Sequence, residues 1–286
     1  MAIDYQILRR WPIPDVVRSH TARDTVLYAL GLGLGQDPCD EDQLRFVLED
    51  RLLALPSMAV VLAYPCVWFS DPATGVNFTK VVHAELSFVN HRPLPVAANV
   101  VGKTRLTGIF DKGPRVGALL QTQSEVFDQS DGSLLCSITS ASMARDDGGF
   151  GGGDVAEKKV WIEPDRAPTA VSEIRTIPQA ALIYRLSGDD NPLHSDPGRA
   201  REAGYGRPIL HGRCSFGIAA WAILKHCCGY APERFKSMSA RFSSPVFPGE
   251  TLRTEIWQDG GSVQFRTSVV ERGAIALTHG SATVLG

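Results

Sequence analysis

CSFGIAAWAILKHCC, residues 214–228, is the segment around which the architecture of this chain is expected to form. Apolar side chains occupy every side of it, which is typical of a helix enclosed by other structure. Apolar and polar residues then alternate over much of 238–243, 251–258, 263–271 and 274–285. A period of two predicts strands. The second half of the chain is therefore expected to be a buried helix followed by a run of β-strands.

The first half shows the same kind of pattern. Strands are predicted at 82–88, 99–111, 116–127 and 134–143, separated by the turn sequences DKG and DQSDG. Before them, Thr21 is placed to cap a helix over 24–35, with glycines ending it. In the second half, T-x-x-Q at 176–179 has the spacing of a capping box and predicts a helix through Tyr184.

The two halves are predicted to be copies of one unit. LYALGLG at 27–33 parallels IYRLSGD at 183–189, and HAELSFVNHRPLP at 83–95 resembles SARFSSPVFPGE at 239–250. The tyrosines are offset by 184 − 28 = 156 residues and the prolines by 248 − 93 = 155. A nearly constant offset across separate landmarks indicates a duplication. We expect a first unit at 1–144, a glycine-rich linker at 145–160 and a second unit at 161–286.

The linker sequence, RDDGGFGGGDVAEKK at 145–159, lacks the G-K-[ST] ending of a phosphate-binding loop. It also does not join a strand to a helix. Nucleotide binding is therefore excluded, and a flexible connection between the units is favoured.

YRLSGDDNPLHSDP, residues 184–197, carries the candidate chemistry. Gly188 and Pro192 interrupt helical periodicity, so the side chains between them are expected to project from a loop. An acid at Asp189 and an imidazole at His194 form a possible proton-transfer pair. The same residue types also build ordinary turns that cap helices. The matching positions of the first copy are Gly33 and Pro38, which leaves one reactive centre and one unit free to bind substrate.

Composition excludes several other classes of protein. Lys and Arg total 29 against 31 Asp and Glu, without a basic block, so nucleic acid and acidic membranes are poor partners. The N-terminus resembles no signal peptide, and the longest apolar run, 58–69, is too short for a membrane span. Six cysteines form no C-x-x-C pair, and seven histidines form no metal motif. We expect a soluble protein with buried or half-buried free thiols and no metal.

The assembled motifs resemble the MaoC-like dehydratase family, in particular the type-2, R-specific enoyl-CoA hydratases. The resemblance spans nearly the whole chain, and its matching pieces occur in family order: LYALGLG, KVVHAE, FDKG, DDGGFGGG, YRLSGDDNPLHSDP, GRPILHGRCSFG and ARFSSPVFPGETL. It implies a double hot-dog fold of the α+β class. Each of two tandem units would contain a long helix wrapped by an antiparallel sheet.

The resemblance also implies roles for individual residues. Asp189 and His194 would be the catalytic pair, Asn191 would help hold the water, and the backbone N–H of Gly212 would bind the thioester oxygen. Substrate contacts are implied for four further residues: His83, Ala84, Lys112 and Phe242. Alanine at position 84 replaces the family's glycine, which weakens the argument for close backbone approach there. Lys112 is equally compatible with a solvated turn, Phe242 with a core position and His83 with a structural strand residue, whereas His211 is assigned a structural role.

The implied activity is reversible syn addition of water to a trans-2-enoyl-CoA, giving an (R)-3-hydroxyacyl-CoA. A fatty acyl group is the default substrate, and the implied reaction needs no cofactor besides the coenzyme A that the substrate carries. Alternatives are a hydratase of short branched or dicarboxylic (mesaconyl-type) enoyl-CoA, a hot-dog acyl-CoA thioesterase and a non-catalytic acyl-CoA binding protein. The sequence ends in SATVLG, without a peroxisomal signal. The expectation is a cytoplasmic homodimer.

Overall fold

A computed structural model describes residues 3–65, 68–155 and 161–286. Its ten strands form one antiparallel sheet with the order β1-β3-β4-β5-β2-β7-β10-β9-β8-β6. The strands are β1 (Val16–His20), β2 (Val81–Asn90), β3 (Ala98–Asp111), β4 (Ala118–Asp128), β5 (Leu134–Ala144), β6 (Ala170–Arg175), β7 (Phe235–Phe242), β8 (Thr251–Asp259), β9 (Ser262–Val269) and β10 (Ala274–Val284).

Seven α-helices accompany this sheet in the described part of the chain. They are α1 (Tyr5–Arg9), α2 (Ala22–Leu32), α3 (Glu41–Leu44), α4 (Ala59–Leu62), α5 (Ala180–Tyr184), α6 (Pro197–Glu202) and α7 (Gly212–Cys228). Short 3₁₀ turns occur at Pro56–Met58, Trp68–Ser70, Pro72–Thr74, Phe78–Lys80, Arg185–Ser187, Pro192–His194 and Pro232–Arg234. The combination is of the α+β class, as predicted.

The strand order shows the internal duplication directly. Five strands of the first half stand on one side of the sheet in the order β1-β3-β4-β5-β2, and β6-β8-β9-β10-β7 mirrors them on the other. The two sets join where β2 pairs with β7, from Glu85 opposite Arg241 to Val89 opposite Ser237. An ion pair of 2.7 Å between Glu85 and Arg241 crosses this junction. The unit boundaries chosen from the sequence stay predictions.

The central helix differs between the two units. In the second unit α7 has 17 residues, almost all buried, as its apolar sequence predicts. In the first unit the corresponding position holds only the 3₁₀ turn Pro56–Met58 and the four residues of α4. The expected long helix is thus present in one copy and shortened in the other, and the shortened copy leaves space beside its sheet. Phe216 of α7 is fully buried and meets Phe88 of β2 at 6.1 Å between ring centroids.

Local predictions succeeded where side-chain pattern and backbone chemistry agreed. Thr21 and Asp24 form a capping box at the start of α2, and Gly33 ends that helix with φ 102°.

The capping box predicted at 176–179 is wrong. The Thr176 hydroxyl donates to Glu250 O at 2.8 Å and accepts from Gly249 N–H at 2.8 Å, so it ties down a loop of the sheet instead.

The edge strands β1 and β6 were missed by the sequence analysis. Each has five or six residues and pairs on one side only within the sheet order. A strand of that length holds too few alternations to stand out as a period of two. In the structure β1 and β6 nevertheless occupy equivalent positions, at the outer edges of the two units.

The described part of the predicted linker, residues 145–155, is held against the first unit. Asp111 accepts backbone N–H groups from Gly149 at 2.7 Å and Gly151 at 3.0 Å. Asp154 accepts from Ile109 N–H at 2.9 Å and from the Tyr5 hydroxyl at 2.9 Å. These bonds make this stretch a strap on β3 and not the free spacer that its glycines suggest. Linker residues 156–160 lie outside the described residues.

Among the described cysteines, all five are free thiols. Four are buried as expected, but Cys39 is exposed; Cys66 lies outside the described residues. In the three described ranges, none of the helices has the length and hydropathy needed for a bilayer span.

Candidate active site

A cavity of about 260 Å³ lies between the two units. Its second-unit wall comes from the loop 189–194, the start of α7 and the end of β7, and its first-unit wall from α4, β2, β4 and β5. This volume is close to the lower limit of typical small-molecule sites, roughly 300 Å³. Six of the eight residues predicted for the site line it: Asp189, Asn191, His194, Gly212, His83 and Phe242.

The loop that carries the acid and the imidazole is fixed by its own backbone chemistry. Gly188 ends the preceding 3₁₀ turn with φ 110°, a left-handed conformation that favours glycine. Asn191 then starts the turn Pro192–His194, its side-chain oxygen accepting the Leu193 N–H at 3.0 Å. Asn191 therefore shapes the loop, while the rest of its half-buried amide remains on the cavity wall.

His194 is held in one tautomer. Its Nδ1 lies 2.8 Å from the carbonyl oxygen of Ile209, which can only accept, so Nδ1 carries the proton. Nε2 is left with a lone pair. Burial lowers the pKa of this imidazole from its ordinary value, against opposing contributions from Asp189 and from the bond to Ile209. The ring is thus neutral at pH 7 and able to accept a proton.

His211 belongs to the same cluster, although the sequence analysis gave it only a structural role. Its ring stacks on His194 with centroids 3.8 Å apart, and its Nε2–H donates to the backbone carbonyl of Asp189 at 3.0 Å. Burial and, to a smaller extent, the neighbouring His194 lower the pKa of His211 to about 3. The position of His211 directly before Gly212 was the sequence signal that could have placed it in the site. The imidazole orients both Asp189 and His194.

Side-chain donor atoms of Asp189, His194 and His211 all lie within 4.8 Å of one another. Three such donors raise the question of a metal ion. The two imidazole rings are stacked at 29°, so their in-plane lone pairs run side by side and do not converge on one point. Two of the four ring nitrogens also donate to backbone carbonyls. This geometry suits proton transfer better than metal binding, and the absence of a metal stays a prediction.

Gly212 is the first residue of α7 and faces the cavity. The residue before it, His211, gives no side-chain hydrogen bond to the helix start. The first N–H groups of a helix have no partner within it and carry the positive end of its dipole. A β-carbon on residue 212 would lie 3.0 Å from the Phe242 ring, so glycine keeps this approach open. The arrangement can bind a developing negative charge.

His83 and Phe242 face each other across the junction of the two units. Their rings are 4.5 Å apart, and His83 Nε2 lies 2.9 Å from the Ser140 hydroxyl. Burial holds the pKa of His83 well below its ordinary value, with Arg213 acting in the same direction. Both residues line the cavity, and their contact with a substrate stays a prediction.

Ala84 and Lys112 are not among the residues that line the cavity. Ala84 sits in an irregularity of the β2–β5 pairing, between His83 and Glu85. Lys112 is exposed in the hairpin after β3, with its ammonium 5.4 Å from the Phe110 ring centroid. Gly117 of the same hairpin packs against the backbone of Arg145, a cavity residue. The hairpin thus lies near one end of the cavity, and a coenzyme A contact of Lys112 stays a prediction.

The sequence of this chain is similar to those of known proteins. Residues 159–279 match the MaoC like domain, and residues 19–146 match the MFE-2 hydratase 2 N-terminal domain. The chain is 37% identical to "Enoyl-CoA hydratase 2, peroxisomal" of Arabidopsis thaliana, covering 93% of this chain and 90% of that protein.

This chain belongs to the MaoC-like dehydratase family. It is also 35% identical to the mouse "Peroxisomal multifunctional enzyme type 2", covering 93% of this chain but 37% of that enzyme. The crystal structure of a MaoC-like dehydratase from Phytophthora capsici superimposes with a TM-score of 0.86 at 33% identity, covering 99% and 98% of the two chains. The double hot-dog fold expected for this MaoC-like protein is confirmed.

Proposed function

We propose that this chain catalyses the reversible addition of water to trans-2-enoyl-CoA thioesters, giving (R)-3-hydroxyacyl-CoA. The observation that carries the proposal is the His194 geometry. The free Nε2 lone pair lies within one cluster with the Asp189 carboxylate, beside the uncapped start of α7. A base, an acid and an oxyanion site meet in one cavity. The name of the Arabidopsis thaliana relative, enoyl-CoA hydratase 2, supports the same reaction.

In the proposed mechanism a single water molecule is held between Asp189 and His194. Nε2 of His194 takes a proton from this water as its oxygen attacks the β-carbon of the enoyl group. The Asp189 carboxyl returns a proton to the α-carbon from the same side, so the addition is syn. Proton exchange with solvent then resets the pair. The reverse sequence of steps removes water from a 3-hydroxyacyl thioester.

Negative charge develops on the thioester oxygen during the attack. The backbone N–H of Gly212 stabilises this charge, helped by the positive end of α7. Asn191 keeps the loop in shape, and the neutral His211 holds Asp189 and His194 in place by one hydrogen bond and one stacking contact. His83, Phe242, Ala84 and Lys112 are proposed to contact the substrate outside the reacting atoms.

The reaction is tested by following the loss of enoyl thioester absorbance with purified protein. We expect the product to be the (R)-3-hydroxyacyl-CoA, identified with a dehydrogenase specific for that enantiomer. Release of free thiol, measured in the same sample, would contradict a hydratase and indicate a thioesterase. Binding of acyl-CoA with neither reaction would leave only a binding protein.

The activity is expected to persist below the ordinary pKa of histidine. His194 must be neutral to accept a proton, and its pKa is lowered by burial. The acid limb of the profile of kcat/KM against pH should therefore fall below pH 6.5, the ordinary histidine value. An acid limb centred above pH 6.5 would contradict the role of His194 as base.

We propose a cytoplasmic homodimer, as expected from the sequence. Both sequence relatives named above carry "peroxisomal" in their names, which makes the location a point to test. Sedimentation of the purified protein and fractionation of cells decide these two properties separately from the chemistry.

A further inference from the structure

Arg213 is a buried charge inside the cavity, and the mechanism above does not use it. Its side chain starts at the second residue of α7 and reaches the first unit, where Nη1 donates to the Val60 carbonyl at 2.7 Å. The guanidinium carbon lies 4.2 Å from the centroid of the Tyr64 ring. The residue is only 6% exposed, yet it lines the cavity together with Val60 and Tyr64.

This arginine has no acidic partner among the described residues. None of the ion pairs of the described chain includes it. Asp189 is the only carboxylate among the described residues that line the cavity, and it forms no ion pair with Arg213. A guanidinium has five N–H donors, and one of them is used on Val60. The side chain thus brings a positive charge and unused donors to the cavity.

A buried cation without a counter-ion is unfavourable, and the start of α7 adds positive potential at the same place. Such a charge is stabilised when a bound molecule supplies an anion. The cavity lining also includes four hydroxyl side chains from β4 and β5: Thr122, Ser124, Ser140 and Ser142. Three of these four hydroxyl groups are already hydrogen-bonded within the chain. A plain hydrocarbon chain would, however, leave the remaining guanidinium donors of Arg213 without partners.

We propose that Arg213 binds a carboxylate on the acyl group of the substrate, so that the preferred substrates are short 2-enoyl thioesters that carry a second carboxyl group. This inference rests on the proposed hydratase function and narrows its substrate class. Gly212, which receives the thioester oxygen, is the residue next to Arg213. The carboxylate therefore lies within about one extended arginine side chain of the thioester, a few carbon atoms away along the acyl group. The fork of the guanidinium matches a carboxylate in a bidentate arrangement.

Two other anions compete for this role. The phosphates of coenzyme A are one, but they are bulky and strongly hydrated, whereas Arg213 is buried between the two units. The oxyanion formed during the reaction is the other. Each of the three anions would make the rate depend on the substrate in a different way. One set of thioesters therefore distinguishes the acyl carboxylate from the coenzyme A phosphates and from the oxyanion.

The test compares two substrates of equal carbon number, trans-2-hexenedioyl-CoA and trans-2-hexenoyl-CoA. We expect wild-type protein to favour the dicarboxylic member in kcat/KM by about 10- to 100-fold, the range given by one charge-assisted hydrogen-bonded contact. The same preference should persist with N-acetylcysteamine thioesters, which lack the nucleotide phosphates. A preference for the monocarboxylic substrate, or equal rates, would overturn the proposal.

Two substitutions of Arg213 locate the preference. Arg213→Met keeps much of the side-chain volume without the charge and should remove the preference. Arg213→Lys keeps the charge and should retain part of it. Arg105→Met makes the same charge change on an exposed side chain of β3 that does not line the cavity, and should leave the preference unchanged. An equal loss on both substrates would assign Arg213 to the oxyanion and reject a carboxylate contact.

Binding provides a readout that does not depend on turnover. Adipoyl-CoA and hexanoyl-CoA are saturated and cannot be hydrated, and their affinities are measured by calorimetry with wild-type protein and with the Asp189→Asn variant. Tighter binding of adipoyl-CoA by both proteins is expected, and equal affinities would contradict the proposal. Absence of hydration with every enoyl thioester, but with this difference in binding retained, would reject the proposed reaction and leave the carboxylate site standing.

Discussion

Asp189→Asn and His194→Gln are each expected to reduce enoyl-CoA hydration by about 10²- to 10⁴-fold, the usual contribution of a general acid or base. Asn preserves the size of Asp189 but does not donate an acidic proton. Gln at 194 retains a polar side chain but lacks the Nε2 lone pair that the bond from Nδ1 to Ile209 leaves exposed. Steady-state rates with trans-2-hexenoyl-CoA and trans-2-hexenedioyl-CoA measure the effect. The loss should appear in kcat.

The fold should survive these changes, since neither side chain is part of the apolar core. Circular dichroism and thermal unfolding of each variant provide the check. Asp190→Asn serves as the matched control, because Asp190 is the exposed neighbour and does not line the cavity. Near-normal turnover in the 189 or 194 variant would refute the catalytic pair. A loss of comparable size in the 190 variant would indicate that the loop as a whole is sensitive.

Phe216→Ala is expected to lower the free energy of unfolding by about 3–5 kcal/mol, the usual effect of deleting a fully buried phenylalanine. The side chain is 0% exposed and meets Phe88 of the first unit edge to face. Its removal leaves a cavity under the strands that join the two units. A fall in Tm on the order of 10 °C should be seen by calorimetry.

Leu182→Ala is the control for this stability measurement. Leu182 lies on α5 and is 54% exposed, so the same kind of truncation should change the free energy of unfolding by no more than about 0.5 kcal/mol. Equal effects at positions 182 and 216 would contradict the packing of α7 as the centre of the core.

Much of this fold could be predicted from the sequence because its main elements repeat. The buried helix and eight of the ten strands follow from side-chain periodicity, and the offset between Tyr28 and Tyr184 revealed the duplication. Two short edge strands and the true partner of Thr176 were not predictable in this way. The Thr176 hydroxyl binds Glu250 and Gly249, which are distant in sequence, and a local capping pattern contains no information about them.

Some residues of the candidate site could be predicted from the sequence, and others could not. Asp189, Asn191, His194 and Gly212 belong to two motifs that carry the family resemblance, which implied that they act together, and the structure brings them to one cavity. His211 and Arg213 flank Gly212 in the same motif, but their roles depend on the stacking with His194 and on the contact with Val60. These contacts come from tertiary packing. No spacing in the sequence specifies them.

The pairing of β2 with β7 within one chain has a consequence for how this protein can change. In a symmetric dimer of identical subunits every substitution occurs in both copies. A change made to the wall of one pocket is then also present in the copy that supplies the reacting groups of the other pocket. Here the first-unit part of the cavity wall and the reacting groups lie in different halves of one chain. Substitutions in the first unit can therefore change which acyl groups fit the cavity, while the reacting groups of the second unit stay unchanged.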